Sequence, residues 1–486
     1  MITQCRNRVV SGRDRIRSIR RAAHDLRLTS LRAPVCTRSS SSVVPEQHHV
    51  PFQNRNTLLH PLWCQTVELA RSVKYRARLV DGRLSELLDA VPAVVINGPR
   101  AAGKTTTARQ HAASEVRLDQ PLQAEAFRAD PDAALLGRAE PVLLDEWQEV
   151  PAVLGAVKRA IDDDPRPGRY ILTGSVRAEL EQEAWPGTGR LVRLQMYGFT
   201  QRELSADGPL PDQPGFLERV GRLDPAAFAR PTATPNLRDY IDLAVRGGLP
   251  LVALSASTAA PALLDDYVDQ LLTRDVSTTI GDRDSVRLSR YFEVLAASSA
   301  GIPEHKTLYD AAAIDRRTAL AYDTLLESLF VVESVPAWSD NRLQTLTHTP
   351  KRYVVDSSLM AAALSATTET IIDDGDLLGR TLDTFVAAQL RSELAVSGTR
   401  ARRSHLRTKG GREEVDIVIE LPGRRVYAFE VKAGGAIGTT DAKHLFWLRD
   451  RLGERFVGGA VLHTGPDPYQ LGDRVMALPL WTLWAD

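Results

Sequence analysis

The sequence predicts an α/β protein in three parts: a parallel sheet with helices on both faces, a helical region, and a second, smaller α/β module. Three observations predict it. Short apolar runs alternate with helical stretches between residues 75 and 207, a glycine-rich loop joins the first run to a helix, and a helix followed by two alternating strands lies near the C-terminal end. Strands and helices in alternation imply a parallel sheet buried on both sides.

The first 50 residues carry ten Arg, no Lys and three acids, with a Ser run at 39–42 and no sustained amphipathic pattern. Arg-rich, Ser-rich and acid-poor composition suits a transit peptide or a nucleic-acid-binding arm. The leading expectation for residues 1–74 is a disordered or spurious extension. No Met lies between Met1 and Met196, so a shorter product needs a different start codon.

Residues 84–90 read as a short helix and 93–96 (AVVI) as a buried strand entering the glycine loop. Further strands are expected at 116–118, 142–144, 170–172 and 191–194, with helix at 152–162 between them. This first part spans 75–207. Pro and Gly crowd 208–235, so 208–236 reads as a linker. From 237 to about 336 the periodicity is helical, as in 263–273 and 289–297. Within it, 307–313, a break at Ile314 and Asp315, and 316–326 resemble a helix-turn-helix, with a short β-ribbon at 330–335; a winged-helix unit fits, in a region spanning 237–350. A helix at 381–394 and strands at 415–420 and 426–432, joined through Pro422 and Gly423, make the third module, 351–486.

The 486 residues exceed one compact domain. Apolar content of 43%, charged content of 25% and zero formal net charge exclude an overall pull toward nucleic acid or membrane. No apolar run reaches the roughly 18 residues of a membrane span. Cys5, Cys36 and Cys64 all precede the first part, which excludes a disulfide framework or zinc ribbon and points to a reducing, cytoplasmic setting. Only eight Lys occur in an Arg-rich chain, which makes each one worth inspection.

Gly98, Gly103, Lys104 and Thr105 meet the phosphate-loop pattern GxxxxGKT, directly after a strand and directly before a helix. The expected binding segment is Gly98, Pro99, Arg100, Ala101, Ala102, Gly103, Lys104, Thr105 and Thr106. Its N–H groups and the helix's positive end cradle the phosphates of ATP, with Lys104 on the β- and γ-phosphates and Thr105 on Mg²⁺. Asp145, ending the strand run Val142, Leu143 and Leu144, is the second expected Mg²⁺ group. Glu146 is the candidate general base. Thr173, Gly174 and Ser175 end the next strand, with the Thr173 and Ser175 hydroxyls expected beside the γ-phosphate. Arg100 and Arg190 are candidates for the transition-state arginine, Arg190 foremost.

The stretches GPRAAGKTT, LLDEWQEVP and YILTGS resemble a large family of prokaryotic AAA-superfamily ATPases that carry a C-terminal domain of unknown function. The likeness continues through residues 75–81, Gly189 with Arg190, Arg202 with Glu203, and YIDLAVRGGLP at 240–250, where Leu249 replaces an aromatic in a Gly-Gly-aromatic-Pro signature. YVDQLLTRDV at 267–276 and KRYVVDSSL at 351–359 also fit, so about residues 75–486 are covered. The resemblance implies a P-loop NTPase of ASCE/AAA-like fold that binds and hydrolyses ATP, with a winged-helix segment and a nuclease-like C-terminal module, and no specific substrate.

In that module, alternation through Val415, Ile417 and Ile419, and through Tyr427, Phe429 and Val431, places Asp416, Glu430 and Lys432 on the opposite, shared face. This is similar to the D…ExK core of metal-dependent nucleases, the PD-(D/E)xK pattern, with Asp416 and Glu430 as Mg²⁺ ligands and Lys432 orienting water. Asp383 stands where such folds often have Glu, one methylene shorter, and Glu393 is a substitute. An edge hairpin wearing charges on its wet face, and a fold that binds without cutting, remain open beside an active nuclease. Arg316 and Arg317 could meet phosphates. His305 and His444 lack companion ligands. The expected function is an ATP-hydrolysing switch for a nucleic-acid- or protein-directed module; the alternatives are an ATP-gated Mg²⁺-dependent DNA nuclease and a non-catalytic ATP-dependent binding module. DNA, a protein partner and self-association stay open.

Overall fold

The computed structural model describes residues 75–174, 189–206, 208–210, 214–255, 259–277, 285–340 and 349–485. The expected extension 1–74 and Ser175 lie outside these described residues. The first part runs α1 (Leu79–Ala90), β1 (Ala93–Asn97), α2 (Lys104–His111), β2 (Ser114–Arg117), α3 (Pro121–Ala129), α4 (Pro131–Leu135), β3 (Val142–Asp145), α5 (Ala152–Asp163), β4 (Tyr170–Thr173) and β5 (Leu191–Gln195). All five strands are parallel in the order β2-β3-β4-β1-β5. Strand β4 therefore lies between the phosphate-loop strand β1 and the strand ending in Asp145. Along β1, Ala93 and Val95 pack with Phe127 of α3 and Val153 of α5. Val94 and Ile96 point the other way, onto Leu84 and Leu88 of α1 and Ala108 of α2. Burial on both faces explains why these strands read as continuous apolar runs.

Residues 208–236, expected as a linker, are not one throughout. After α6 (Gln201–Ser205), α7 (Phe216–Val220) inserts Phe216 and Val220 into the core of the C-terminal sheet, joined by Phe228. The Phe216 ring packs tilted against Phe429, centroids 5.5 Å apart, and Arg219 donates to the carbonyl of Thr482 at 3.0 Å. Pro and Gly punctuate the segment, and the apolar residues between them decide where it packs.

The helical region comprises α8 (Leu237–Arg246), α9 (Pro250–Ala253), α10 (Ala260–Ser277), α11 (Ser285–Ala297), α12 (His305–Ala311) and α13 (Arg316–Ser328). Asp315 caps α13 by accepting from the N–H groups of Arg317 and Thr318. Strand β6 (Val332–Val335) follows and pairs antiparallel with β7 (Lys351–Val354). The expected ribbon at 330–335 is thus one strand, whose partner was assigned to the next module, and the boundary at 350 falls inside it. Buried Asp323 joins helices to ribbon: it accepts from Tyr291 at 2.7 Å and from Arg352 at 2.6 and 3.0 Å, and His305 lies 2.9 Å away.

The C-terminal part runs α14 (Ser357–Ala363), α15 (Thr368–Asp373), α16 (Gly375–Val396), β8 (Arg402–Arg407), β9 (Glu414–Glu420), β10 (Val426–Val431), α17 (Lys443–Leu452), β11 (Phe456–His463), β12 (Tyr469–Gly472) and β13 (Val475–Pro479). Its mixed sheet has the order β12-β13-β11-β10-β9-β8, with β10, β11 and β13 mutually parallel. Helix α16 covers one face, with Leu382, Val386 and Leu390 against Ile417, Ile419 and Phe429. Helix α17 covers the other, with Leu445 and Leu448 against Val418, Ala428 and Val461.

Candidate functional site

The phosphate loop closes on itself. Lys104 donates from Nζ to the carbonyls of Gly98 at 2.9 Å and Pro99 at 2.7 Å, so the loop's own oxygens hold the ammonium. Burial pulls the Lys104 amine down to about 8, against the opposing charges of Glu146 and Asp145. A Cβ on Gly98 would lie 1.8 Å from the carbonyl oxygen of Met196, so only glycine lets the loop approach the neighbouring segment this closely. Ala101 takes a left-handed conformation, Gly103 caps α2, and Thr106 is exposed on its first turn. The carbonyl of Arg100 accepts from the Tyr267 hydroxyl at 3.1 Å, which brings α10 onto the loop.

Asp145 ends β3 almost wholly buried and accepts from Thr105 Oγ1 at 2.7 Å and Thr173 Oγ1 at 2.5 Å. The two expected Mg²⁺ groups, Thr105 and Asp145, are therefore in contact. A hydroxyl and a carboxylate are the hard oxygen donors that Mg²⁺ prefers. Thr173, expected beside the γ-phosphate, donates its hydroxyl to Asp145. Glu146 has φ of 54°, a left-handed conformation uncommon outside glycine. Its carboxylate accepts from Gln148 Nε2, and burial raises its pKa, with the Asp145 charge adding to the rise.

Arg190 does not meet the loop within its own chain. Leu191 pairs with Ala93 at the start of β1, whereas the loop leaves the end of that strand at Asn97. Four residues of strand place Arg190 roughly 13 Å away, and its guanidinium pairs with Asp162 of α5. Arg100 lies in the loop, and its charge acts on both Lys104 and Glu146.

Arg78, which the sequence reading missed, buttresses the loop. It is buried and donates to the carbonyls of Ala102 at 3.0 Å and Tyr197 at 2.7 Å, and to Glu203 Oε1 at 2.9 Å, with its guanidinium 4.1 Å from the Phe199 ring centroid. Phe199 N–H in turn donates to the Gly248 carbonyl at 2.6 Å, and Gly248 N–H to Asp356 Oδ2 at 2.9 Å. A Cβ on Gly248 would sit 2.2 Å from Phe199 O. The GGLP and VVDSSL stretches, far apart in sequence, thus meet beside the phosphate loop. Helix α6 also docks on α16: Gln201 N–H donates to Gln389 at 2.7 Å and Arg202 pairs with Glu393 at 3.0 Å.

The C-terminal constellation differs from the expected face. A register shift between β8 and β9 near Asp416 breaks the alternation, so Val415 joins Val418 on the α17 side while Ile417 and Ile419 face α16. Lys351 of β7 enters the cluster, its Nζ 2.5 Å from Asp383 Oδ2 and 3.1 Å from Asp416 Oδ1. Burial raises Asp383 to about 6, whereas the Lys351 ammonium and the Val431 N–H hold Asp416 low against its burial. Burial and the Asp416 charge push Glu430 well up, and one of its oxygens is buried without a hydrogen-bond partner. Lys432 lies 3.5 Å from Glu430 and is half-exposed. Glu393, the expected substitute ligand, is ten residues or about 15 Å along α16 from Asp383 and serves Arg202 instead. Among the described residues no three His, Cys, Asp or Glu side chains form a metal-holding group. His444 contacts Glu413 at 2.6 Å.

The strand order, the glycine loop and the Thr105–Asp145 pair form a phosphate loop on a parallel sheet, the arrangement of a P-loop nucleotide-binding domain. Residues 90–205 match the profile of an AAA domain, residues 237–370 that of a domain of unknown function, DUF8612, and residues 378–483 that of another, DUF4143. Over 403 residues the chain is 26% identical to the uncharacterized proteins Rv2008c of Mycobacterium tuberculosis and Mb2031c of Mycobacterium bovis, with 82% of each chain covered. The Walker-type ATPase PABY2304 of Pyrococcus abyssi aligns over 60% of this chain and 99% of its own, at 14% identity and a TM-score of 0.36. Among the described residues no helix is long and apolar enough to cross a membrane.

Proposed function

We propose that this protein is an ATP-hydrolysing switch whose nucleotide state is passed to its helical and C-terminal parts. The observation that carries the reading is Arg78, whose one guanidinium holds the loop carbonyl of Ala102, the Tyr197 carbonyl and Glu203. Glu203 belongs to α6, the helix that docks on α16, so a shift of the loop is felt at that contact. Lys104 would hold phosphate oxygens, and Thr105 with Asp145 would hold Mg²⁺, which supplies neutralising charge when bound. Glu146 is the base that takes the proton of the attacking water on a carboxylate oxygen, and its raised pKa suits that task.

Helices α11 to α13 and the β6–β7 ribbon follow one another as in a winged helix, and they form the output surface in this reading, directed at nucleic acid or protein. The exposed face of α13 opens with Arg316 and Arg317. Cleavage of DNA is the less favoured output, because a lysine sits among the carboxylates that would perform it. Steady-state ATP turnover tests the switch. Glu146→Gln should lower it on the order of 100-fold while binding persists, and Lys104→Ala should abolish it. Wild-type turnover in both variants would sink the proposal.

A further inference from the structure

The likeness of Asp383, Asp416, Glu430 and Lys432 to a nuclease core implies a divalent cation held by Asp416 and Glu430. The residues present do not fit that ion. The Lys351 side chain is 2% exposed and lies between two carboxylates, 2.5 Å from Asp383 Oδ2 and 3.1 Å from Asp416 Oδ1. The other oxygen of Asp383 accepts from the Tyr353 hydroxyl at 3.1 Å, and the other oxygen of Asp416 accepts from the Val431 N–H at 3.0 Å. All four oxygens of Asp383 and Asp416 are therefore engaged by the chain itself, and of the Glu430 carboxylate one oxygen lies 3.5 Å from Lys432 while the other is buried without a partner, a single donor that makes no octahedral site.

Mg²⁺ binds oxygens at about 2.0 to 2.1 Å and demands near-octahedral geometry. To enter here it would have to expel a buried ammonium or share the pocket with it, and like charges at such range repel strongly away from water. Lysine is a compact point charge with three donors, able to serve two carboxylates at once. Its strand, β7, belongs to the ribbon, whereas Asp383 lies on α16 and Asp416 on β9, so this one cation ties three elements together.

We propose that Lys351 is the resident cation of this site, standing in place of a divalent metal, and that the C-terminal module acts without metal-dependent cleavage. The second half rests on the reading of that module as the output of the switch; the occupancy does not. Mn²⁺ binding to the full chain without nucleotide, followed by electron paramagnetic resonance, tests it. Wild-type protein should show no Mn²⁺ site that depends on Asp416, so wild type and Asp416→Asn should titrate alike. Lys351→Met, which keeps length and removes charge, should gain one site at least tenfold tighter than any in wild type, and Lys351→Met/Asp416→Asn should lose it.

A Mn²⁺ site in wild type that Asp416→Asn or Glu430→Gln removes would overturn the proposal, whether or not Lys351→Met folds. So would a folded Lys351→Met protein that gains no site. Supercoiled plasmid incubated with wild type, Mg²⁺ and ATP should stay intact; nicking that Glu430→Ala abolishes would likewise refute it. ATP turnover is no part of these readouts, so their failure leaves the hydrolytic reading standing.

Discussion

Arg78 Nη1 donates to the Ala102 carbonyl at 3.0 Å, from a residue 24 positions upstream of the phosphate loop it supports. Truncating it would leave the buried Glu203 charge without its cation, held only by the neutral donors of Leu79 and Thr200, a loss of about 3 kcal/mol. Arg78→Ala should therefore lower the melting temperature and abolish the stabilisation that a non-hydrolysable ATP analogue gives to wild type. Arg78→Lys should recover little, because an ammonium cannot present a planar fork to Ala102, Tyr197 and Glu203 together. Melts with and without analogue check this, and a wild-type shift in Arg78→Ala would count against the buttress.

The Arg202–Glu393 pair, with side chains 9% and 15% exposed, joins the P-loop part to α16. A double-mutant cycle with Arg202→Ala and Glu393→Ala should return a coupling of about 1 to 3 kcal/mol in urea unfolding. Simple additivity of the two substitutions would mean that the contact contributes nothing to holding the parts together.

Asp323 accepts from Arg352 and Tyr291 within the helical region. Asp323→Ala strands a largely buried guanidinium and should destabilise the protein by about 3 kcal/mol or more. Asp323→Asn, which keeps the shape and the oxygen acceptor, should cost less. Equal losses in the two variants would argue that charge plays no part.

His463 is fully buried, and burial lowers its pKa from 6.5 to about 4, with the Asp467 charge opposing. Its folded pKa lies below the unfolded one, so the stability it contributes is present above pH 6.5 and drains away as pH falls toward 4. Between pH 7 and pH 5 this loss should amount to about 2 kcal/mol. His463→Asn keeps an acceptor for the Gly465 N–H, which now donates to Nδ1 at 3.0 Å, and should flatten that part of the slope. Urea midpoints at the two pH values would show it; parallel slopes would exclude His463.

The P-loop sheet was legible in the sequence because its information is local. A buried parallel strand writes itself as an apolar run, and Gly98 to Thr105 carries its chemistry within eight residues. Arg78 and Lys351 were missed because their partners lie 24 to 125 and 32 to 65 positions away, respectively, and no periodicity marks such a contact. For Lys351 a signal existed in the scarcity of lysine. The distance of Arg190 from the loop of its own chain was not legible, because its neighbour Gly189 suggests a loop without saying at which end of β5 the loop lies. The alternation through Val415 and Ile417 failed at a register shift, where one extra residue reverses the face of all that precede it.

Phe216 sits inside the sheet of a module that the chain does not begin to build for another 140 residues, its ring against Phe429. A gene fragment cut at the borders of the C-terminal domain would therefore lack three aromatic and aliphatic plugs, Phe216, Val220 and Phe228, and leave an open slot in its own interior. Such a fragment should be recovered as aggregate, and it becomes a good recipient for a peptide spanning residues 214–230 supplied in trans.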